Sequence, residues 1–465
     1  MKSRSFSPSW PPHTQQSRFA AILIFSLLPA CLPGALAQPV RTLSLPQSID
    51  YALDNSAQIR KAKIDRRALE ERLREARGAA YPQITAGLNY DYYPMLPVQY
   101  LPGALLGRAE DAYVPAAFGQ PWQMSTSLQV QQPLYNESLR RSTPAANVSR
   151  TLLDLLVERS TDEVRYNTAA VYYQTLQTTQ LLRAVNANLQ KLEALQRMAE
   201  LQLANGYAIP TDVKRIRVAR INLETQRQNL LTAIAALRQT LQFLCGLPFD
   251  QALELSEETA PVAADSSRWL SLPLAVEAST EHRLLLNNME LNRIQTHSLG
   301  GEMYPTLSAY ATGMYQTQRN DANVFGSDGR WWGMAVVGFK VQMPLFNGFR
   351  RHRRAGLLRL DGEKLEADRQ QLLQGKELEY RQTRDQVQHA LRALQTHTEN
   401  VTLAREVADK LTLQYKEGTV PLTDLLSAQT ALSEAETNYW QQVYGYKLAV
   451  LKLLKAAGRL ADLES

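Results

Sequence analysis

The feature that most limits what this chain can fold into is that it is written twice. Val130-Gln131-Gln132-Pro133-Leu134-Tyr135-Asn136 recurs 211 positions later as Val341-Gln342-Met343-Pro344-Leu345-Phe346-Asn347. Gly206 followed by Thr211-Asp212-Val213 recurs 212 positions later as Gly418 followed by Thr423-Asp424-Leu425, with Pro210 and Pro421 one step out of that register. Asn136 stands 70 residues before Gly206, and Asn347 stands 71 before Gly418. Two segments matched in length to within one residue, between two repeated landmarks, mark a duplicated structural unit. Tyr81-Pro82 and Tyr304-Pro305 are 223 apart, and Leu45-Pro46 and Leu272-Pro273 are 227 apart. The length differences therefore collect ahead of the long segment, where loops tolerate insertion and a continuous rod does not.

Within each copy the hydrophobic period changes from helix to strand and back. Residues 47–79 are rich in Ala, Arg, Glu and Leu and predict a helix that stops near Gly78, before Pro82. Strands are expected at about 82–91 and 123–134, where Ile84, Ala86, Leu88 and Tyr90, then Met124, Thr126, Leu128 and Val130, alternate with Gln, Ser, Thr, Asn and Gly. The second copy predicts strands at about 305–316 and 331–345, with Ala335, Val337, Phe339 and Val341 set against Lys340 and Gln342. Each run has one apolar and one polar face, as a half-buried sheet or a membrane strand requires. A rod of some 60 residues follows from about Arg141 to Asn205, and a second from about Arg354 to Glu417. At 1.5 Å per residue such rods are about 90–100 Å long, beyond ordinary globular helices. Gly206 and Gly418 end them, with turns at 206–211 and 418–423, and helices return over about 211–244 and 422–456. In the first copy the two short helices sum to about one rod, so they are expected to stack end to end beside it, with 246–271 as a linker at mid-height.

The first 37 residues stand apart. Lys2, Arg4 and Arg18 precede the apolar run Phe19 to Leu28, and Ala35-Leu36-Ala37 closes it with small residues, the layout of a secretory signal peptide. Pro29 and Pro33 argue against a spanning helix, and Pro29 also fits poorly with lipidation at Cys31. Removal of this segment takes three positive charges from a net of +6 and leaves +3, so the chain has no basic excess that would suit nucleic acid. Of its two cysteines only Cys245 would remain, which excludes a disulfide framework. No later run reaches 18 apolar residues, so any crossing of a membrane falls to strands. Four strands cannot close a barrel, and an open edge in lipid is forbidden; several chains would have to share one barrel. The expected domains are thus 1–37, a first repeat at 38–245, the linker 246–271 and a second repeat at 272–465. The expected fold is mostly α with a β-barrel part.

These residues resemble the TolC-like outer membrane efflux protein family. The resemblance rests on the Tyr-Pro strand entry, the aromatic-Asn strand exit, the paired turns at Gly206 and Gly418, the stretch Leu425-Leu426-Ser427-Ala428-Gln429 and the closing Leu453-Leu454 with Gly458. It covers essentially the whole mature chain. It implies a homotrimer in the outer membrane, whose twelve strands form one barrel above a helical tunnel through the periplasm. It further implies a periplasmic adaptor (membrane fusion) protein and an inner-membrane pump of RND or ABC type as partners, with drugs, small molecules or protein as cargo. On that resemblance Asp424 falls on the first position of an acidic ring that constricts the tunnel, and Ser427 where some members carry a second carboxylate. Tyr415 matches an aromatic gate residue, and Val420 stands where some members have an arginine that reaches across to the first repeat near Thr211 and Asp212. The tips Gly206, Tyr207, Gly418 and Thr419 are the implied adaptor contacts. Three copies of Asp424 would favour cations. First-turn acids such as Asp212 and Asp424 also serve a helix by facing its dipole.

No arrangement for chemistry emerges beside this. His282, His297, His352, His389 and His397 are scattered without a second ligand at metal spacing, there is no phosphate-binding glycine loop, and no cofactor or metal is expected. The expectation is a protein that is not an enzyme. The rival reading is an exported coiled-coil scaffold or adhesin, which explains the rods but not the two alternating strand pairs.

Overall fold

The computed structural model describes residues 41–102, 107, 113–207, 209–256, 266–326 and 330–464. The expected signal peptide, with Cys31, lies outside the described residues, as does 257–265 of the expected linker.

The first helical stretch is two helices rather than one: α1 (Leu45–Asn55) and α2 (Ala57–Gly78). Ser56 interrupts them because its backbone is extended (ψ 123°) and its side chain accepts from the N–H groups of Gln58 and Ile59, a cap that competes with continuing the helix. Ser44 caps α1 in a reciprocal box with Gln47. A short strand, β1 (Arg41–Leu43), precedes α1.

Strand β2 (Gln83–Tyr92) leads through the hairpin β3 (Val98–Pro102) and β4 (Tyr113–Ala117) to β5 (Trp122–Tyr135). Helix α3 (Glu137–Ser142) and the 60-residue rod α4 (Ala145–Ala204) follow, separated at Thr143-Pro144, so the rod starts at Ala145 rather than at about Arg141. Proline supplies no N–H to the preceding turn, so the rod restarts there. Helix α5 (Pro210–Cys245) returns. The linker contains β6 (Leu253–Leu255) and α6 (Ser266–Leu270). The second copy has α7 (Thr280–Gly301), β7 (Thr306–Arg319), β8 (Trp332–Gln342), the 67-residue rod α8 (Arg350–Lys416) and α9 (Leu422–Ala456). The α8 rod passes through Gly356, Gly362 and Gly375. At Gly362 a Cβ would lie 3.2 Å from Oδ1 of Asn292, so that glycine admits the neighbouring helix α7.

The four long strands form one antiparallel sheet in the order β2-β5-β7-β8. Both hairpins keep one register under the duplication: Gln83 opposes Gln131, and Thr306 opposes Gln342. The pairing of β5 with β7, Val130 opposite Ala311, joins the two repeats. Because side chains alternate, this register gathers Ile84, Leu88, Leu128, Val130, Leu307, Ala309, Val337, Phe339 and Val341 on one face. The other face collects Gln83, Thr85, Ser125, Ser127, Gln129, Gln131, Thr306, Ser308 and Thr312. At the end of the sheet away from the rods Tyr92 and Tyr90 pack on Trp122 with ring centres 4.4 and 5.5 Å apart, and Tyr315 stacks on Trp331 at 5.8 Å.

The largest core sits halfway along the rods. Tyr172 of α4, fully buried, donates from its hydroxyl to the Ser256 carbonyl at 2.6 Å. Around it lie Ile49, Leu241, Leu253, Val387, Leu451 and Leu454. β1 and β6 pair in parallel there, Arg41 to Leu43 against Leu253 to Leu255, and close the middle of the bundle. Helix α5 ends against the end of α1: Gly246 is left-handed (φ 65°), and a Cβ on it would come within 2.6 Å of Cβ of Asn55. In the second repeat Tyr380 of α8 donates to the Leu272 carbonyl. Among the described residues no helix is long and apolar enough to cross a membrane.

Candidate functional site

Both rods end in the same way. Gly206 (φ 78°) and Gly418 (φ 73°) take the left-handed conformation that closes a helix. The next residue bonds back in each case, Tyr207 N–H to the Gln202 carbonyl at 2.8 Å and Thr419 N–H to the Gln414 carbonyl at 3.0 Å. Thr419 adds a second bond to that carbonyl from its hydroxyl at 2.9 Å. Pro210 is the first residue of α5, whereas Pro421 sits one position outside α9 as its cap, which accounts for the one-step slip between the two prolines. Gly206, Tyr207, Gly418 and Thr419 are all exposed, Tyr207 at 86%.

Asp212 and Asp424 occupy the same place, the third residue of α5 and of α9. Neither helix has a side-chain cap, so each carboxylate faces a turn of uncapped N–H groups and the positive end of a helix dipole. Their surroundings differ. Asp212 is half-buried, with Arg215 Nη1 3.8 Å from its Oδ1. Asp424 is exposed and accepts from the Thr423 hydroxyl at 3.4 Å. Ser427, three residues on, is exposed on the same side of α9, opposite the buried row Leu422, Leu425, Ala428 and Leu432.

Tyr415 is where the two repeats meet. It is 7% exposed in a cluster with Leu192, Leu195 and Ala199 of α4, Ile216 of α5, and Leu422 and Leu425 of α9. Burial, and then the charge of Asp212, push its hydroxyl above the usual tyrosine range. Val420 packs half-buried on the same cluster. This seam between repeats is therefore held by apolar packing around one tyrosine, and Val420 can contribute no ion pair to it.

Beside the cluster a groove of about 540 Å³, lined by Leu192, Leu223 and Leu426 as well as by polar side chains, runs between α5 and α9 with α4 as its floor. Asn222, Gln226, Gln429, Ser433, Glu434 and Asn438 line it. Asn188, 5% exposed, also faces it and has neither side-chain polar atom hydrogen-bonded. Of these polar residues only Gln429 stands in the stretch that carries the family resemblance. Their signal is the spacing of Gln429, Ser433 and Thr437 by four, one step beside the buried row of α9.

A second feature missed from sequence lies where the sheet meets the rods. Glu137, 4% exposed, accepts from Arg140 Nε and Arg141 Nε, each at 2.7 Å, and from the Tyr135 hydroxyl at 3.1 Å. These partners, Arg140 foremost, hold its carboxyl down at about 2. Ser138 and Ser298 exchange hydroxyl-to-carbonyl bonds at 3.2 and 3.0 Å, tying α3 to α7. No group of three His, Cys, Asp or Glu side chains positioned for a metal is found among the described residues.

The comparisons agree with this geometry. Residues 48–247 and 294–459 match the family described as Outer membrane efflux protein. The chain is 22% identical over 436 residues to Outer membrane protein TolC of Escherichia coli, covering 90% of this chain and 83% of that protein. It is 22% identical over 433 residues to the protein of the same name from Salmonella enteritidis, covering 90% and 82%. Its fold is similar to that of the outer membrane protein VceC of Vibrio cholerae, with a TM-score of 0.68 at 17% identity over 89% of this chain and 96% of that one. With most of each copy of the repeat inside the matched residues, the chain belongs to the outer membrane efflux protein family, a family of channels rather than enzymes, and is a protein of the outer membrane with its helical rods in the periplasm.

Proposed function

We propose that three copies of this chain, four strands each, close one barrel in the outer membrane above a continuous helical tunnel, and that the tunnel is a passive conduit. The observation that carries this reading is the register of the sheet, which puts Val130, Leu307, Phe339 and Val341 on one face and Gln129, Gln131, Thr306 and Ser308 on the other. Such a sheet suits lipid outside and water inside. Its two edges, β2 and β8, are unpaired in one chain. In hydrocarbon each unsatisfied backbone group costs several kcal/mol, so β8 of one copy takes β2 of the next, as β5 takes β7 within the chain.

The tunnel draws its transport from elsewhere. The tips at Gly206, Tyr207, Gly418 and Thr419 meet a periplasmic adaptor protein, and an inner-membrane pump of RND or ABC type drives drugs, small molecules or protein through. Asp424, exposed with Ser427 beside it, forms the narrowest acidic ring, while Tyr415, Val420 and Asp212 form the seam that moves when the tip opens. The purified protein should migrate as a trimer in detergent and produce unitary conductance steps in planar bilayers. Trimers that give no steps under any opening condition would refute the conduit, and extraction in aqueous salt alone would favour a scaffold.

A further inference from the structure

The two copies of the joint between sheet and rod differ in charge. In the first, Glu137 pairs with both Arg140 and Arg141 and offsets one of their two charges. Shifted by 211 positions, Arg140 corresponds to Arg351, but Glu137 corresponds to Gly348. The second joint instead carries Arg350-Arg351-His352-Arg353-Arg354. Among the described residues only Arg354 of these five has an ion-pair partner, Glu302 at 3.6 Å. Such a run of like charge in little more than one helical turn is self-repelling and attracts an anion.

Large apolar side chains precede the run in the open: Leu345 is 90% exposed, Phe346 76% and Phe349 68%. Leu345 lies three residues beyond the end of β8, whose Val337, Phe339 and Val341 stand on the apolar sheet face. A hollow of about 260 Å³ lies between Met303, Met343, Leu345, Phe346, Phe349 and Arg351. The first joint shows what a neighbouring strand would cover. Leu134 and Tyr135, the counterparts of Leu345 and Phe346, remain 50% and 42% exposed with β7 beside them, and the Arg140 side chain remains 73% exposed. A second copy's β2 alongside β8 would likewise leave Leu345, Phe346 and Arg351 open.

We infer that this joint binds an anionic phospholipid of the inner leaflet, its acyl chains against Leu345 and Phe346 and its phosphate on Arg350 and Arg351. Guanidinium groups match phosphate oxygens in pairs, and aromatic and basic side chains gather where hydrocarbon meets water. The inference rests on the reading that the sheet crosses the membrane.

The test is native mass spectrometry of the detergent-purified trimer titrated with phosphatidylglycerol, phosphatidylcholine or inorganic phosphate. Wild type should retain phosphatidylglycerol over phosphatidylcholine. The double variant Arg350→Gln/Arg351→Gln should lose affinity on the order of tenfold, while Arg140→Gln, whose arginine already has Glu137, should not. Arg350→Lys/Arg351→Lys, which keeps the charge, should retain much of the preference and serves if the first variant does not assemble. Equal retention of the two lipids, or no loss in the double variant, overturns the proposal. Inorganic phosphate that competes fully with the lipid overturns it in favour of a plain anion site. Conductance of wild type in zwitterionic bilayers reports on the channel separately, so its failure would strike the membrane reading and not the lipid preference alone.

Discussion

Arg141 donates through Nε to Glu137 at 2.7 Å while its guanidinium carbon stands 5.0 Å from the centre of the Tyr304 ring, so one arginine ties the exit of the first repeat's sheet to the entry of the second's. Glu137 lies at the middle of this joint, its carboxyl held down at about 2 first by Arg140 and next by Arg141. A lowered folded pKa stabilises the protein above the unfolded value, about 4.3, and that contribution is lost as pH falls through 2. Glu137→Gln should therefore melt below wild type at pH 7, by the same margin at pH 5, and by a shrinking margin from pH 4 downward. Melting curves of the two trimers across that range check it; a margin that does not change with pH would show that the carboxylate's charge is irrelevant.

Gly301 lets the repeats approach at the same joint. A Cβ there would lie 2.7 Å from Cα and from N of Ser138, a backbone that cannot step aside. Gly301→Ala should cost about 1–3 kcal/mol as overpacking, read as a lower denaturant midpoint. Gly78, 223 positions earlier, has nothing within 4 Å of its Cβ position in one chain. If copies join as the repeats do, Gly78 faces Phe349 of the next copy. Gly78→Leu should then leave the folded protomer intact and weaken the trimer on size-exclusion light scattering. A trimer as robust as wild type would mean that the seam between copies does not repeat the joint within one.

Asp424 is exposed and Asp212 half-buried although both hold the third position of a helix. Removing the charge of Asp424 as Asn should shift the reversal potential in a salt gradient toward zero by reducing cation preference. Asp212→Asn should change it little. Identical reversal potentials in wild type and Asp424→Asn would remove Asp424 from the lumen.

Cys245 is fully buried at the end of α5, its thiol 3.4 Å from the Ser48 carbonyl, and burial pushes it up to about 11. Since the thiolate is the reactive form, the native protein should resist maleimide at pH 7.5 and label to completion in denaturant. Rapid native labelling would mean that the mid-rod core opens under those conditions.

Much of this could be read along the chain because it is carried by neighbours in sequence. Strand alternation, rod length and the glycine stops at Gly206 and Gly418 are periodic or local signals. The strand Thr306–Arg319 ran three residues past the expected end at 316, and Trp332–Gln342 stopped three short of 345. Those ends depend on the partner strand, not on propensity. The split at Ser56 turned on one side-chain oxygen competing for N–H groups, which composition over 33 residues obscures.

The sequence alone thus determined the duplication, the order of its elements and the tips where Asp212 and Asp424 begin their helices. Tertiary structure decided what meets what. β1 and β6 are three residues each, too short to show a period, and exist because residues 41–43 and 253–255 are brought together over the Tyr172 hydroxyl. Glu137, read in sequence, is one acid among many; only the approach of α3 to α7 buries it with two arginines. The same holds for Tyr415: periodicity along α8 marks an apolar face but not that the face belongs jointly to both repeats. Local periodicity specifies which side of an element is apolar, whereas the choice of partner for that side is settled by shape and charge between segments hundreds of residues apart.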